Sequence, residues 1–159
     1  MRIAIGADHN GVAVKEQLRT WLSEKGHDVD DRGVHDPDEI VDYPPLCVDL
    51  CQRVLDRHAD RAIIIGGAGG GEIIACNRLP GIRAALGQTA DVARISRANN
   101  DTNVLVLGAK VLGIEIMQDI LDVWLSTPFS GGRHQQRLDQ IAALERGEPL
   151  SGRLPRGQR

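Results

Sequence analysis

The sequence predicts an α/β protein built on a parallel sheet, and three observations carry that expectation. Short apolar runs alternate with helical patterns along the whole chain, the rhythm of β-α-β units. Ile63-Ile64-Ile65 is β-branched throughout, as suits a strand covered on both faces. Directly after it, five of the six residues from Gly66 to Gly71 are glycine, and Glu72 opens a helical pattern. Such a strand, loop and helix can hold anionic oxygen, because glycine lets the backbone approach a ligand and a helix start leaves N–H donors unpaired.

The elements follow in order. A strand is expected over residues 2–6, where Ile3-Ala4-Ile5 begins almost at the first residue, and a helix near 12–25. A second strand over 27–32 leads to a helix near 44–57, whose Pro44-Pro45 suits a first turn. The third strand, 62–65, feeds the glycine loop and a helix near 72–78. Strands over 82–86 and 103–107 flank a helix near 89–98, which ends in the cap and turn formers of residues 99–103. A helix near 114–126 completes the alternation. One more helical pattern, 135–146, has no strand after it, and its stripe of Leu138, Ile141, Ala142 and Leu144 suits packing on a partner subunit. Residues 1–146 are thus expected to form one domain, and the Gly-, Pro- and Arg-rich 147–159 a disordered tail.

Composition narrows the class. Of 159 residues, 42% are hydrophobic and 26% charged, and 19 basic against 22 acidic residues leave a net charge of −3. That balance gives no general reason to bind nucleic acid or a membrane surface, and 3% aromatics make base-stacking platforms improbable. No apolar run reaches the roughly 18 residues of a membrane span. Cys47, Cys51 and Cys76 show no metal-site spacing and are odd in number, which fits a reducing cytoplasm. Cys76 reads as a core residue.

In an open parallel sheet, ligands bind beyond the carboxyl ends of the strands. On that edge the sequence places Asp8-His9-Asn10-Gly11, residues 33–44, the loop 66–72, Gly87-Gln88 and Gly108-Ala109-Lys110. The glycine loop is neither a P-loop, since no Gly-Lys-Ser/Thr follows, nor a usual dinucleotide loop, since it stands after the third strand and no acidic residue ends the next one. Glu72 suits a general base beside a cluster of amides, as well as a first-turn acid favouring the helix dipole. Asp8 and His9 suit hydroxyl and phosphate binding, or a simple loop pair. Tyr43 can give packing or a hydroxyl contact. Arg133 and Arg137 lie four residues apart on one helical face, and with His134 they make a candidate phosphate clamp or a solvated basic face.

These residues also carry a resemblance. Gly6-Ala7-Asp8-His9-Asn10-Gly11, Asp42-Tyr43-Pro44, the stretch 66–72, Ala75-Cys76-Asn77-Arg78, Gly81-Ile82-Arg83-Ala84, Asn100-Asp101-Thr102-Asn103 and the stretch 131–137 run in the order seen in the type B ribose-5-phosphate isomerases and related galactose-6-phosphate isomerase subunits. The chain resembles that family over residues 1–146. The resemblance implies a Rossmann-like three-layer sandwich with a five-stranded parallel sheet and an added C-terminal helix. It implies a homodimer, with a dimer of dimers left open, and active sites built across the interface. It further implies aldose–ketose isomerisation of a phosphorylated sugar through a cis-enediolate, with no metal or other cofactor.

One branch of the family uses a Cys base at the position of Gly66, and the other a Glu that matches Glu72. The resemblance therefore implies Glu72 as the base, with backbone N–H groups of Gly67, Ala68, Gly69, Gly70 and Gly71 at the enediolate. Asp8 and Asn100 would position hydroxyls, and Tyr43 belongs to the substrate-binding set. His9 would hold the phosphate with Arg133, His134 and Arg137 reaching over from the partner. Lys110 stands where many members carry Arg. Asn99 occupies the place of a His that assists ring opening, and Asn is no acid or base near neutral pH. That departure raises a tetrose 4-phosphate as an alternative to ribose 5-phosphate, since a tetrose 4-phosphate cannot close a furanose ring. A binding module without catalysis is a second alternative.

Overall fold

The computed structural model describes residues 1–150, and five parallel strands order it. In chain order the elements are β1 (Arg2–Ala7), α1 (Val12–Glu24), β2 (Asp28–Gly33), α2 (Tyr43–Leu55), β3 (Arg61–Gly66), α3 (Gly70–Cys76), β4 (Ala84–Leu86), α4 (Ala90–Asn100), β5 (Val104–Gly108), α5 (Ile114–Ser126) and α6 (Arg133–Glu145). The sheet runs β2-β1-β3-β5-β4, every neighbouring pair parallel, with Ile5 opposite Ile63 and Ile63 opposite Leu105 at its centre. The three-layer α/β architecture is the one the sequence predicts. No helix among the described residues is long and apolar enough to cross a membrane.

Alternation along the strands sends side chains to two cores. Ile3, Ile5, Ile63, Ile65, Leu105 and Leu107 face α1, α4 and α5, where Leu18, Leu22, Ala93, Ile120 and Trp124 meet them. Ala4, Ala62, Ile64, Val104 and Val106 face α2 and α3, against Leu50, Cys51 and Cys76. All three cysteines are free and buried, so Cys76 is the core residue expected. Lys15 is fully buried on the first turn of α1. It pairs with Asp31 at 2.6 Å and donates to the Arg32 carbonyl at 3.0 Å, fastening that turn to β2.

Most boundaries shift by one or two residues from expectation, and three of the shifts have a clear local cause. β4 is only Ala84–Leu86, because Ile82 N–H closes a turn on Leu79 O and Arg83 N–H is taken by the Asn103 side chain. α3 begins at Gly70 rather than Glu72: Gly69 caps it in the left-handed region (φ 85°), and the two glycines after it already follow the helix. α6 begins at Arg133 instead of 135, and ends where Gly147 and Glu148 donate to Leu144 O and Ala143 O. Residues 151–159, most of the tail expected to be disordered, lie outside the described residues.

Candidate active site at the carboxyl edge of the sheet

The site lies where the sheet's winding reverses. The chain leaves β1 toward β2 and leaves β3 toward β4, so the loops after these adjacent strands part and open a crevice. One wall is the turn Asp8-His9-Asn10-Gly11. Asp8 is 6% exposed, and its carboxylate accepts the N–H of Asn10 at 2.9 Å and the Asn10 side-chain amide at 3.0 Å. The other wall is the glycine loop.

That loop is gripped from the β5 side. Ala109 N–H donates to Gly66 O at 2.8 Å and Lys110 N–H to Gly67 O at 2.9 Å. In trans peptides the N–H points opposite to the C=O, so the N–H groups of Gly67 and Ala68 point away from β5. The first bond of α3 runs from Ile73 N to Gly69 O. Among the described residues, no backbone acceptor meets the N–H groups from Gly67 to Glu72. The loop thus presents a row of free backbone donors, held in place by carbonyls committed elsewhere.

Glu72 sits against this cradle, 5% exposed. Its carboxylate occupies the space that a side chain on Gly66 would need: a Cβ there would overlap Glu72 Oε1 and lie 3.0 Å from Oε2. Gly66 therefore makes room for the Glu72 carboxylate, because the absence of a side chain vacates its seat. A Cys at position 66 and a Glu at position 72 compete for one volume, which accounts physically for the two being alternatives in the family resembled. From α2, Cys47 Sγ approaches Glu72 O at 3.8 Å. Its contact with Cys76, then burial, hold the Cys47 thiol above its ordinary range, so it offers no thiolate base. Tyr43 begins α2 and lays its ring on the loop, where a Cβ on Gly71 would stand 2.6 Å from its Cζ and 2.8 Å from its hydroxyl. Lys110 and Asn10 flank Gly67.

One chain does not bring all the predicted residues together. Asp8, His9, Tyr43, Gly67, Ala68, Gly69, Gly70, Gly71, Glu72 and Lys110 share this edge. Asn99 and Asn100 do not. α4 leaves the carboxyl edge after β4 and runs back about 16 Å, so its last residues reach the opposite edge, where Arg83 Nε donates to Asn100 O at 3.1 Å. The chain after α5 meets α4 there, with Ser130 N–H on Ala98 O, and α6 begins three residues later with Arg133, His134 and Arg137. Among the described residues these three side chains make no hydrogen bond or ion pair within the chain. Two residues escaped the sequence reading, Gly66 as the seat of Glu72 and Asn10 as a partner of Asp8. The Asp-His-Asn spacing was the available signal for the second, since Asp commonly bonds the backbone two residues on.

The family model described as Ribose/Galactose Isomerase matches residues 3–141. The ribose-5-phosphate isomerase B of Escherichia coli is 40% identical over 144 residues, spanning 91% of this chain and 96% of that protein. A protein of Bacillus subtilis named putative sugar phosphate isomerase YwlF is 36% identical over 145 residues, 91% and 97% of the two chains. Among solved structures, Clostridium thermocellum ribose-5-phosphate isomerase B superposes with a TM-score of 0.90 at 41% identity, covering 92% of this chain and 99% of that one. The Mycoplasma genitalium ribose-5-phosphate isomerase B, solved with bound ribulose-5-phosphate, gives 0.86 at 32% identity over 91% and 96%. With its β1/β3 crevice, glycine loop and buried Glu72, this chain belongs to the ribose/galactose isomerase family.

Proposed function

We propose that this protein interconverts ribose 5-phosphate and ribulose 5-phosphate, with Glu72 carrying the proton. One observation supports this above the rest: a buried carboxylate seated on Gly66, beside a run of backbone donors that the fold leaves unpaired. Glu72 takes the proton from C2 of the open-chain aldose. The freed electron pair forms the C1–C2 double bond, and the carbonyl oxygen becomes an oxyanion facing the loop's N–H groups. The proton then returns to C1, while the 2-hydroxyl proton passes to O1, and the ketose results. Losing one donor that meets the oxyanion typically costs on the order of a hundredfold or more in rate.

The site is shared between two copies in this reading. Asp8, His9, Tyr43, Glu72 and Lys110 come from one protomer. Asn99, Asn100, Arg133, His134 and Arg137 come from the other, since their own chain holds them at the far edge of its sheet. The residues are those of a single domain, 1–146, and three free buried cysteines suit the cytoplasm.

The names of the relatives favour the pentose. The tetrose reading rests on Asn99, and on Ala68 where the family resembled commonly carries Ser or Thr, and a binder without catalysis has no evident use for a carboxylate seated beside its anion cradle. Turnover of ribose 5-phosphate and erythrose 4-phosphate by the pure protein tests this. Higher kcat/KM on the pentose supports the proposal, and turnover of the tetrose alone overturns it.

A further inference from the structure

The turn after β1 contains a hydrogen-bond chain with one consistent placement of protons. Asp8 Oδ2 lies 3.0 Å from Asn10 Nδ2. A carboxylate only accepts, so the amide must present its nitrogen to Asp8, and its orientation is thereby fixed. The same Nδ2 lies 3.2 Å from His9 Nε2. An amide nitrogen carries two protons and accepts none; one goes to Asp8 and the other to His9. His9 Nε2 therefore accepts, and the single ring proton belongs on Nδ1. That atom is buried and meets no protein acceptor among the described residues. A doubly protonated ring would set two donors against each other across the Asn10–His9 contact.

We infer that Asn10 is a positioning residue that keeps His9 uncharged as its Nδ1–H tautomer. The role assigned to His9 changes accordingly. A neutral imidazole suits a sugar oxygen, and the charge of the phosphate is left to Arg133, Arg137 and Lys110. The inference deepens the isomerase reading and rests on it for the substrate. The tautomer itself follows from the Asp8, Asn10 and His9 contacts alone.

The test is ¹⁵N NMR of the full chain at neutral pH without substrate, with the His9 signals assigned by their loss in His9→Gln. The expected pattern is a protonated Nδ1 and an unprotonated Nε2. Asn10→Asp keeps the size but can only accept, so His9 should move to an Nε2–H or doubly protonated ring. Asn10→Ala removes the donor and should give a mixture of tautomers. Either variant should lower kcat/KM by about tenfold, the size of one lost hydrogen bond. A wild-type ring with its proton on Nε2, or charged, overturns the inference, as do His9 signals unchanged in both folded variants. If the tautomer is as expected but no sugar phosphate turns over, the isomerase reading falls and the assignment of the proton stands.

Discussion

The two edges of the sheet are built in opposite ways. At the carboxyl edge, Glu72 and Asp8 are 5% and 6% exposed, and their neighbours in the same chain fix them. Gly66 seats one carboxylate and Asn10 grips the other. At the opposite edge, Asn100, Arg133 and Arg137 are exposed, and among the described residues the two arginines meet no partner. The first region is finished by its own packing, and the second leaves its polar groups exposed. In the proposed reading, the contrast means that the proton-moving part is held rigid within a protomer while the anion-gripping part is lent to a neighbour.

Breaking the finished edge should have the largest effect. Glu72→Gln keeps size and burial but cannot take a proton, so kcat should fall by about a thousandfold in steady-state assays, within the range for a lost general base. Gly66→Ala should come next. The overlapping group is the far end of a flexible side chain, so the fold should survive, with an unchanged circular dichroism spectrum. The carboxylate must leave its seat, however, and kcat should drop by about a hundredfold.

The unfinished edge sharpens the contrast. Arg137→Ala should raise KM by about tenfold or more and leave kcat comparatively intact, since it removes a phosphate contact rather than the base. Mixing that variant with Glu72→Gln after partial unfolding and reassembly should restore part of the activity, because some hybrids hold one intact shared site. A mixture no better than its components would place both regions in one protomer and defeat the division.

The smallest effect concerns stability. Burial holds the imidazole of His27 below its ordinary pKa of 6.5, so the folded chain keeps it neutral while the unfolded chain protonates it near that value. The unfolded state then binds more protons, and stability should fall as pH drops below about 6.5. The loss should be less than about 1 kcal/mol, seen as a flatter pH dependence of the urea midpoint in His27→Gln.

Much of this was readable in the sequence. Ile63-Ile64-Ile65 announced the central strand because burial on both faces demands an unbroken apolar run. The run of unpaired loop N–H groups with Glu72 beside it was legible because both are local in the chain. What escaped depends on distance in space. Gly66 looked like one more loop glycine, since its use is to clear room for a side chain six positions on. The place of Asn100 was not legible, since motifs carry no record that an 11-residue helix sends its end to the far edge. Gly70 and Gly71 looked like loop, because glycine gives no helical signal, and α3 started early.

Proton exchange with solvent tests the central claim most directly. Ribose 5-phosphate incubated with enzyme in deuterium oxide should gain deuterium at the carbon that Glu72 serves, and Glu72→Gln should abolish the gain while the protein still binds the sugar phosphate. Undiminished exchange in the Glu72→Gln protein would contradict the account and assign the proton to another group.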